Sequence, residues 1–176
     1  MVNVERIPNK SLDGGEPTSS QITISRMTDH DLAEVMQIEK VSFSTPWSKG
    51  MFLTELRDNP FSRLLVAKPD PPAGKVQPAK PVVGYCCFWI IFGEVHIMNL
   101  AVRPDWRKRG IASRLVEETL SICRQQGVKK IHLEVRESND LARRLYEKFG
   151  FRVVTIRPNY YSQPRENAIL MALELD

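Results

Sequence analysis

Residues 99–112 join an apolar, strand-like run to a helix through a basic turn. They read Asn99-Leu100-Ala101-Val102-Arg103-Pro104-Asp105-Trp106-Arg107-Lys108-Arg109-Gly110-Ile111-Ala112. From Ile111 onward apolar residues recur at helical spacing, and Gly127 marks the end of that helix. The strand before the turn and the helix after it make this stretch the centre of an α/β unit.

The basic turn predicts a phosphate site. The first amides of a helix have no partner within the helix and lie at its positive end. Gly110 and Ala112 carry no bulky side chain that would hold an anion away from those amides. The turn is not a Walker loop, since no Gly-Lys-Ser/Thr follows, and it lacks the glycines of a dinucleotide fingerprint. A basic helix start on a solvated surface is the alternative interpretation.

The charge of the chain is concentrated at this turn. The 176 residues carry a net charge of +4 at pH 7. Residues 103–114 hold five basic side chains and one acid, Asp105, so this segment alone accounts for the excess. A nucleic-acid-binding surface would spread over more of the chain, so the pattern favours a compact polyanion as ligand.

Composition excludes several classes of protein. Apolar residues at 42% and charged residues at 26% are ordinary globular values, which exclude general disorder and a coiled coil. No apolar run is long enough to cross a membrane, and residues 1–20 have no secretory pattern, so we expect a cytoplasmic protein. Three cysteines and three histidines show neither paired nor metal-ligand spacing, which predicts reduced, buried thiols and no metal site.

Hydrophobic periodicity predicts a mixed α/β fold. Residues 1–20 are predicted to form a flexible tail and residues 21–176 a single domain, in which the proline-rich residues 69–81 form an exposed hairpin loop. Strands are predicted at 22–25, 64–67, 82–91, 94–102, 131–135, 151–156 and 168–175, and helices after Thr28, Ser48, Gly110 and Asn139. The last of these helices is predicted to carry Leu141, Ala142, Leu145, Tyr146 and Phe149 on one face. The strand–helix–strand order around residues 94–135 implies a parallel pair, and the final hairpin is antiparallel, with helices on both faces of the sheet.

Residues 99–112 resemble the acetyl-coenzyme A (acetyl-CoA) segment of the GNAT superfamily of N-acetyltransferases. Residues 133–139, 145–146, 150–151 and 157–161 resemble one branch, the RimI-type protein N-terminal acetyltransferases. Bacterial members of that branch acetylate the N-terminal alanine of a small-subunit ribosomal protein, number 18. The resemblance extends over roughly residues 21–175 and implies a GNAT fold. That fold is a mixed, mostly antiparallel sheet of about seven strands with a splayed parallel pair, flanked by about four helices.

The resemblance implies acetyl-CoA as cosubstrate and no metal. It assigns the pyrophosphate to residues 108–113 and the pantetheine arm to backbone groups of residues 100–102, where an amide near Leu100 would also stabilise the oxyanion. The full set of implied cofactor-binding residues is Leu100, Ala101, Val102, Arg107, Lys108, Arg109, Gly110, Ile111, Ala112, Ser113 and Asn139. Ordinary core strand is the alternative for residues 100–102, and a plain helix cap is the alternative for Asn139.

Two residues are candidates for proton transfer. An α-amine with a pKa of about 8 is roughly one-tenth neutral at pH 7, so a modest general base suffices. Glu134, on a strand beside the implied cleft, is the candidate general base, and Tyr146 is the family-matched general acid for the leaving thiolate. An exposed strand glutamate and a core tyrosine are the alternative interpretations.

Aromatic residues are candidates for the substrate groove. The resemblance places two aromatic loops, residues 43–48 and 159–161, beside the acceptor, with Trp47, Tyr160 and Tyr161 as substrate-binding residues; core packing is the alternative for Trp47. The sequence departs from the branch at Arg107, where glutamine is also frequent, at Ala112, which replaces a common glycine, and at Asn167, where aspartate is usual.

The implied partner is a protein N-terminus, most simply that of a ribosomal protein, with no direct nucleic-acid or membrane contact and a monomeric or weakly dimeric state. Two other functions stay open at this point. One is a broader acetyltransferase of α-amines, lysines or small amines. The other is a non-catalytic module that binds coenzyme A or an acidic partner.

Overall fold

The computed structural model describes residues 22–70 and 81–176. These residues contain seven strands and four α-helices. The predicted tail and most of the proline-rich loop lie outside these residues. The strands are β1 Ile22–Arg26, β2 Ser62–Pro69, β3 Gly84–Ile91, β4 Glu94–Val102, β5 Lys130–Arg136, β6 Arg152–Ser162 and β7 Arg165–Glu174. The helices are α1 Leu32–Ser42, α2 Lys49–Arg57, α3 Ile111–Gln125 and α4 Asp140–Lys148.

The strands form one sheet in the order β1-β2-β3-β4-β5-β7-β6. Only β4 and β5 pair in parallel, and α3 is the crossover between them; the other neighbours are antiparallel. The predicted mixed, mostly antiparallel sheet with one parallel pair is confirmed.

Side-chain caps begin α2 and α4 at the predicted residues. The Ser48 hydroxyl accepts a hydrogen bond from the Met51 amide at 3.3 Å, and Asn139 Oδ1 accepts one from the Ala142 amide at 3.1 Å. Before α1, the Asp31 carboxylate accepts from the Thr28 amide at 2.9 Å, which completes a capping box. These starts are set by local chemistry, which is why the sequence predicts them.

The core lies on both faces of the sheet. On one face α3 and α4 pack against β4, β5 and β7 through residues such as Leu115 and Leu133; on the other, α1 and α2 pack against β2 and β3 through residues such as Phe52 and Tyr85. The three cysteines are free and buried, as predicted, and burial raises the pKa of Cys86 to about 12. None of the helices in the described ranges has the length and apolar character needed to cross a membrane.

A bulge in β4 reverses which side chains face α3. Cys87 lies opposite Asn99 and Phe88 opposite Ile97, so Met98 is an extra residue in the strand. Ile97 before the bulge and Leu100 after it both pack on the α3 side, although they are three residues apart. One inserted residue therefore changes the phase of the alternation along the strand.

Beyond this bulge the parallel pair separates. The pairing of β4 with β5 runs from Glu94–Lys130 to Ile97–Leu133, although β4 continues to Val102 and β5 to Arg136. The backbone of residues 98–102 thus has no strand partner on the β5 side. A gap opens between two strands in the middle of the sheet, as the predicted splay requires.

Two local predictions are wrong. Residues 159–161 are not a loop, because β6 continues to Ser162 and pairs with β7 through a register shift between Arg157 and Tyr161. Leu141 was predicted on the buried face of α4, but it is 78% exposed. The packed stripe of α4 is Ala142, Leu145, Tyr146 and Phe149, at helical spacing, and Leu141 precedes it by one residue.

Candidate active site

The gap between β4 and β5 opens into a cavity of about 370 Å³ that passes from one face of the sheet to the other. Asn139 and Tyr146 line it on the α4 side, and Trp47 and Tyr160 line it on the side of α1 and α2. The structure thus brings together these residues predicted from the sequence: Trp47, Leu100, Glu134, Asn139, Tyr146, Tyr160 and Tyr161.

The start of α3 has the geometry of an anion cradle. Gly110 precedes the helix in the left-handed conformation, with φ of 77°, and no side chain caps the helix or places an acid in its first turn. Lys108 is also left-handed, with φ of 62°, an uncommon conformation for a residue with a side chain. The first intrahelical bond runs from the Arg114 amide to the Gly110 carbonyl, so the amides of residues 111–113 remain for a ligand. The donor set fits a diphosphate.

Three arginines of the basic turn contact the chain itself. The Arg107 guanidinium donates to the Val102 carbonyl at 3.1 Å. Arg103 forms an ion pair with Asp105, and Arg109 donates to the Asp105 carbonyl at 3.1 Å and lies over the Trp106 ring. These contacts hold the turn in shape, so the rigid part of the cradle is its backbone.

Gly84 lies where the end of β4 meets the start of α3, and its role was missed in the sequence. A Cβ at this position would lie 3.1 Å from the Ala101 carbonyl oxygen and 3.2 Å from Ile111 Cγ2. Only a glycine on β3 lets the end of β4 and the start of α3 approach this closely. The Val-Gly-Tyr sequence, a glycine inside a predicted strand, is the signal that could have indicated close backbone packing.

Glu134 lines the cavity and lies between the His96 imidazole and the Arg157 guanidinium. Its Oε2 is 2.5 Å from His96 Nε2, and its Oε1 accepts from Arg157 at 2.7 Å. The side chain is 8% exposed, which rules out a solvated strand glutamate. The hydrogen bond with His96 and the charge of Arg157 lower the pKa of Glu134, so the carboxylate is ionised at neutral pH.

Tyr146 belongs both to the core and to the cavity. Its ring packs edge-on against Phe151 with ring centres 5.5 Å apart, and the residue is buried in the α3 and α4 cluster. Burial raises the pKa of Tyr146 well above its usual value near 10, so the hydroxyl is protonated at every physiological pH. The core and cavity interpretations therefore hold together for this residue.

Arg136 ties the two walls of the cavity together and was not singled out in the sequence. Its guanidinium donates to Ser44 Oγ and to the Gln163 carbonyl, both at 2.9 Å, and lies 4.0 Å from the centre of the Tyr161 ring. It also forms an ion pair with Glu166 at 3.1 Å. The segment after α1 and the tip of the β6–β7 hairpin are thus joined, and Arg136 lies two residues from Glu134 on the same face of β5.

A family model gives the identity of this arrangement. Residues 32–151, most of the chain, match the model of the acetyltransferase (GNAT) family. The chain belongs to this family. Members use acetyl-CoA as acyl donor, and the chain is accordingly an acyltransferase of GNAT type.

Several proteins similar to this GNAT acetyltransferase are named for a more specific activity. The [ribosomal protein bS18]-alanine N-acetyltransferase of Salmonella typhimurium is 34% identical over 155 residues, 87% of this chain and 97% of the relative. The crystal structure of the ribosomal protein alanine N-acetyltransferase of Escherichia coli is 31% identical, covers 88% of this chain and 94% of its own, and superposes with a TM-score of 0.75. Ard1 from Thermoplasma volcanium is 31% identical with a TM-score of 0.76, over 89% of this chain and 99% of its own.

Glu39, a buried carboxyl group of α1, was missed in the sequence of this GNAT acetyltransferase. It is 1% exposed and lines the cavity. Its carboxylate accepts from the Trp47 amide at 2.8 Å, from Asn99 Nδ2 at 3.2 Å and from the Tyr85 hydroxyl. Glu39 therefore fixes the aromatic segment and the β4 bulge to one point. Burial raises the pKa of Glu39, and the three hydrogen bonds offset part of that effect.

The raised pKa of Glu39 predicts a pH-dependent stability. The folded protein keeps this proton at pH values where the unfolded chain, with a pKa near 4.5, has lost it. The contribution of Glu39 is thus fully present below that value, and it decreases as the pH rises through the raised pKa. As the pH rises above 4.5, Glu39→Gln is expected to lose less thermal stability than the unmodified protein. The exposed Glu118→Gln serves as control and should leave the slope unchanged; equal slopes for all three proteins would contradict the assignment.

Proposed function

We propose that this GNAT acetyltransferase transfers the acetyl group of acetyl-CoA to the α-amine of a protein N-terminus, in the cytoplasm, with the N-terminal alanine of ribosomal protein bS18 as its leading substrate. The observation that carries the proposal is the passage through the sheet, which presents an ionised Glu134 and a protonated Tyr146 to one cavity. The bS18 substrate is supported by the names of relatives that are 31% to 34% identical over most of the chain.

The α3 side of the sheet is the proposed cofactor side. The amides of residues 111–113 and the left-handed Gly110 would hold the diphosphate. The edge of residues 100–102, which has no strand partner on the β5 side, would hydrogen-bond the pantetheine arm as a further strand would, although the Val102 carbonyl already accepts from Arg107. Bound there, acetyl-CoA supplies the acetyl group as a thioester, and Asn139 lines the path between the two binding regions.

The opposite mouth of the cavity is the proposed acceptor side. Trp47, Tyr160 and Tyr161 surround it, and Arg136 fixes the distance between the two segments that carry them. A mouth formed by three aromatic rings suits the flexible end of a polypeptide, which has to be held in an extended form. Glu134 is assigned as the general base for the incoming ammonium group.

Tyr146 is assigned as the general acid. A thiol has a pKa of about 8.5, so complete proton transfer from the more weakly acidic Tyr146 hydroxyl to the departing thiolate is uphill. The hydroxyl therefore acts as a hydrogen-bond donor that shares its proton with the sulfur as negative charge develops there. The C–S bond breaks with its electron pair on the sulfur, and the released thiolate takes its proton from solvent.

Removal of this donor is the direct test of Tyr146. The Tyr146→Phe variant keeps the ring that packs on Phe151, so the unfolding temperature and the affinity for acetyl-CoA should not change. Turnover is expected to fall by roughly a hundredfold, the usual contribution of one positioned proton donor. Steady-state assays together with calorimetry of cofactor binding measure both effects. Full turnover in the variant would return Tyr146 to a packing role.

Mass spectrometry of acetylated peptides tests the substrate. Peptides that begin with Ala, Ser or Met, and an Ala peptide with a blocked N-terminus and an internal lysine, are incubated with acetyl-CoA and the protein. We expect the free Ala peptide to gain one acetyl group at its α-amine, fastest of the four. Acetylation of the blocked peptide would instead indicate a lysine acetyltransferase, and no product on any peptide would contradict the proposed activity.

A further inference from the structure

His96 lines the cavity and contacts Glu134, but the proposed function gives this histidine no role. It lies on β4 beside the parallel strand β5, with Trp89 opposite it on β3. It lines the cavity between β4 and β5, called the substrate cavity from here on. It also lines a second cavity of about 540 Å³ on the face of the sheet that carries Glu134. Its side chain is 38% exposed, whereas that of Glu134 is 8% exposed.

Both oxygens of Glu134 already have donors. Oε1 accepts from Arg157 at 2.7 Å, and Oε2 lies 2.5 Å from His96 Nε2. A carboxylate in this state is held in place, but it is a weak base, because each donor stabilises its ionised form. His96, the partner of that carboxylate, is therefore the residue best placed to receive a proton.

The contact fixes the tautomer of His96. A neutral imidazole carries one N–H, and beside an ionised carboxylate that hydrogen lies on the nitrogen that faces it, Nε2. The lone pair is then on Nδ1. A carboxylate that orients an imidazole in this way also stabilises the imidazolium that forms when Nδ1 accepts a proton.

We propose that His96 accepts a proton from the incoming ammonium group. Glu134 acts as the positioning residue, which orients the imidazole and stabilises the imidazolium that forms. This inference rests on the proposed function and refines the role given there to Glu134. The ammonium N–H bond breaks, its electron pair stays on the amine nitrogen, and the proton binds His96 Nδ1. The resulting imidazolium is paired with Glu134 and gives its proton to solvent, to which the His96 side chain is 38% exposed.

Other charged groups around His96 are arranged differently. His132 lies directly beside it on β5 and lines the second cavity, but its Nε2 is 3.5 Å from Glu94, with which it forms its own pair. Arg157 reaches the same region from β6, through Glu134. His132 therefore provides a matched control: the same residue type on the same face, without the contact to Glu134.

The experiment compares the unmodified protein with His96→Ala, His96→Gln and His132→Ala, using the free Ala peptide. We expect kcat of His96→Ala to fall by about a hundredfold, with the KM for acetyl-CoA unchanged, and added imidazole to restore part of that loss. The His132→Ala variant should have near-normal turnover and no response to imidazole. Turnover of His96→Ala close to that of the unmodified protein would overturn the proposal and leave Glu134 as the direct base.

The His96→Gln variant tests whether His96 accepts a proton or only holds Glu134 in place. The glutamine amide still donates a hydrogen bond toward Glu134 but has no basic nitrogen. It should be as slow as His96→Ala if His96 accepts the proton; recovery to normal turnover would show that His96 only holds Glu134, which overturns the inference. Failure of the proposed function itself is distinguishable, since the unmodified protein would then acetylate none of the peptides.

Discussion

Gly110→Asp is expected to weaken acetyl-CoA binding by roughly a hundredfold, because it would place a carboxylate at the positive end of α3. The new charge would repel the diphosphate and would bond the helix amides that a ligand needs. It also places a side chain at a residue with φ of 77°, which only glycine adopts without strain. Isothermal calorimetry with coenzyme A measures the loss.

Gly127→Asp provides the matched control for this substitution. Gly127 ends the same helix in the same left-handed conformation, with φ of 67°, and a Cβ there meets nothing within 4 Å. The two variants share the strain and the added charge but differ in which end of α3 receives it. If both lost affinity equally, the effect would come from general destabilisation of α3, and the cradle would be contradicted.

Glu134→Gln is expected to lower kcat by about a thousandfold and to leave the affinity for acetyl-CoA unchanged. The amide keeps the shape of the side chain but removes the negative charge between His96 and Arg157. Neither a direct base nor a positioned His96 imidazolium survives that loss. Single-turnover acetylation of the Ala peptide, with cofactor binding measured separately, shows which step is affected.

Glu94→Gln is the corresponding control. Glu94 lies on the same face of the sheet, lines the second cavity and pairs with His132, but it does not line the substrate cavity. It should retain normal turnover. Normal turnover of Glu134→Gln as well would remove Glu134 from the proton-transfer step altogether.

The parts of the fold that depend on neighbouring residues could be predicted from the sequence. Ser48, Asn139 and Gly110 begin helices because a cap or a left-handed residue acts within one turn. The parallel pair also followed from local order, since a strand, a helix and a strand in succession have few ways to pack. The anion cradle belongs to this group, because its amides and its glycine are adjacent in the chain.

The polar contacts of the site could not be predicted in this way. In the sequence Glu39 is one charged residue of an amphipathic helix, and its burial depends on Tyr85 and Asn99, which are 46 and 60 positions away. His96 meets Glu134 only because the register of the parallel strands places His96 beside His132, two residues from Glu134. A shift of one residue in that register would move the pair to opposite faces.

The extent of β6 was missed for a similar reason. Residues 159–161 contain asparagine and follow a proline, a local composition typical of a loop. Pairing with β7 nevertheless extends the strand through them and places Tyr160 and Tyr161 at the cavity. Pairing with the strand that follows in the hairpin outweighs the local preference of these residues.

The extra residue at Met98 has a consequence for how this strand tolerates change. Most substitutions between His96 and Val102 alter one contact, whereas deletion of a single residue would exchange the side chains that face the helix with those that face the acceptor. The number of residues in this segment is therefore under stricter constraint than their identity. Redesign of the acceptor pocket can vary the residues of β4 other than His96 and Asn99, provided that the length of the strand stays the same.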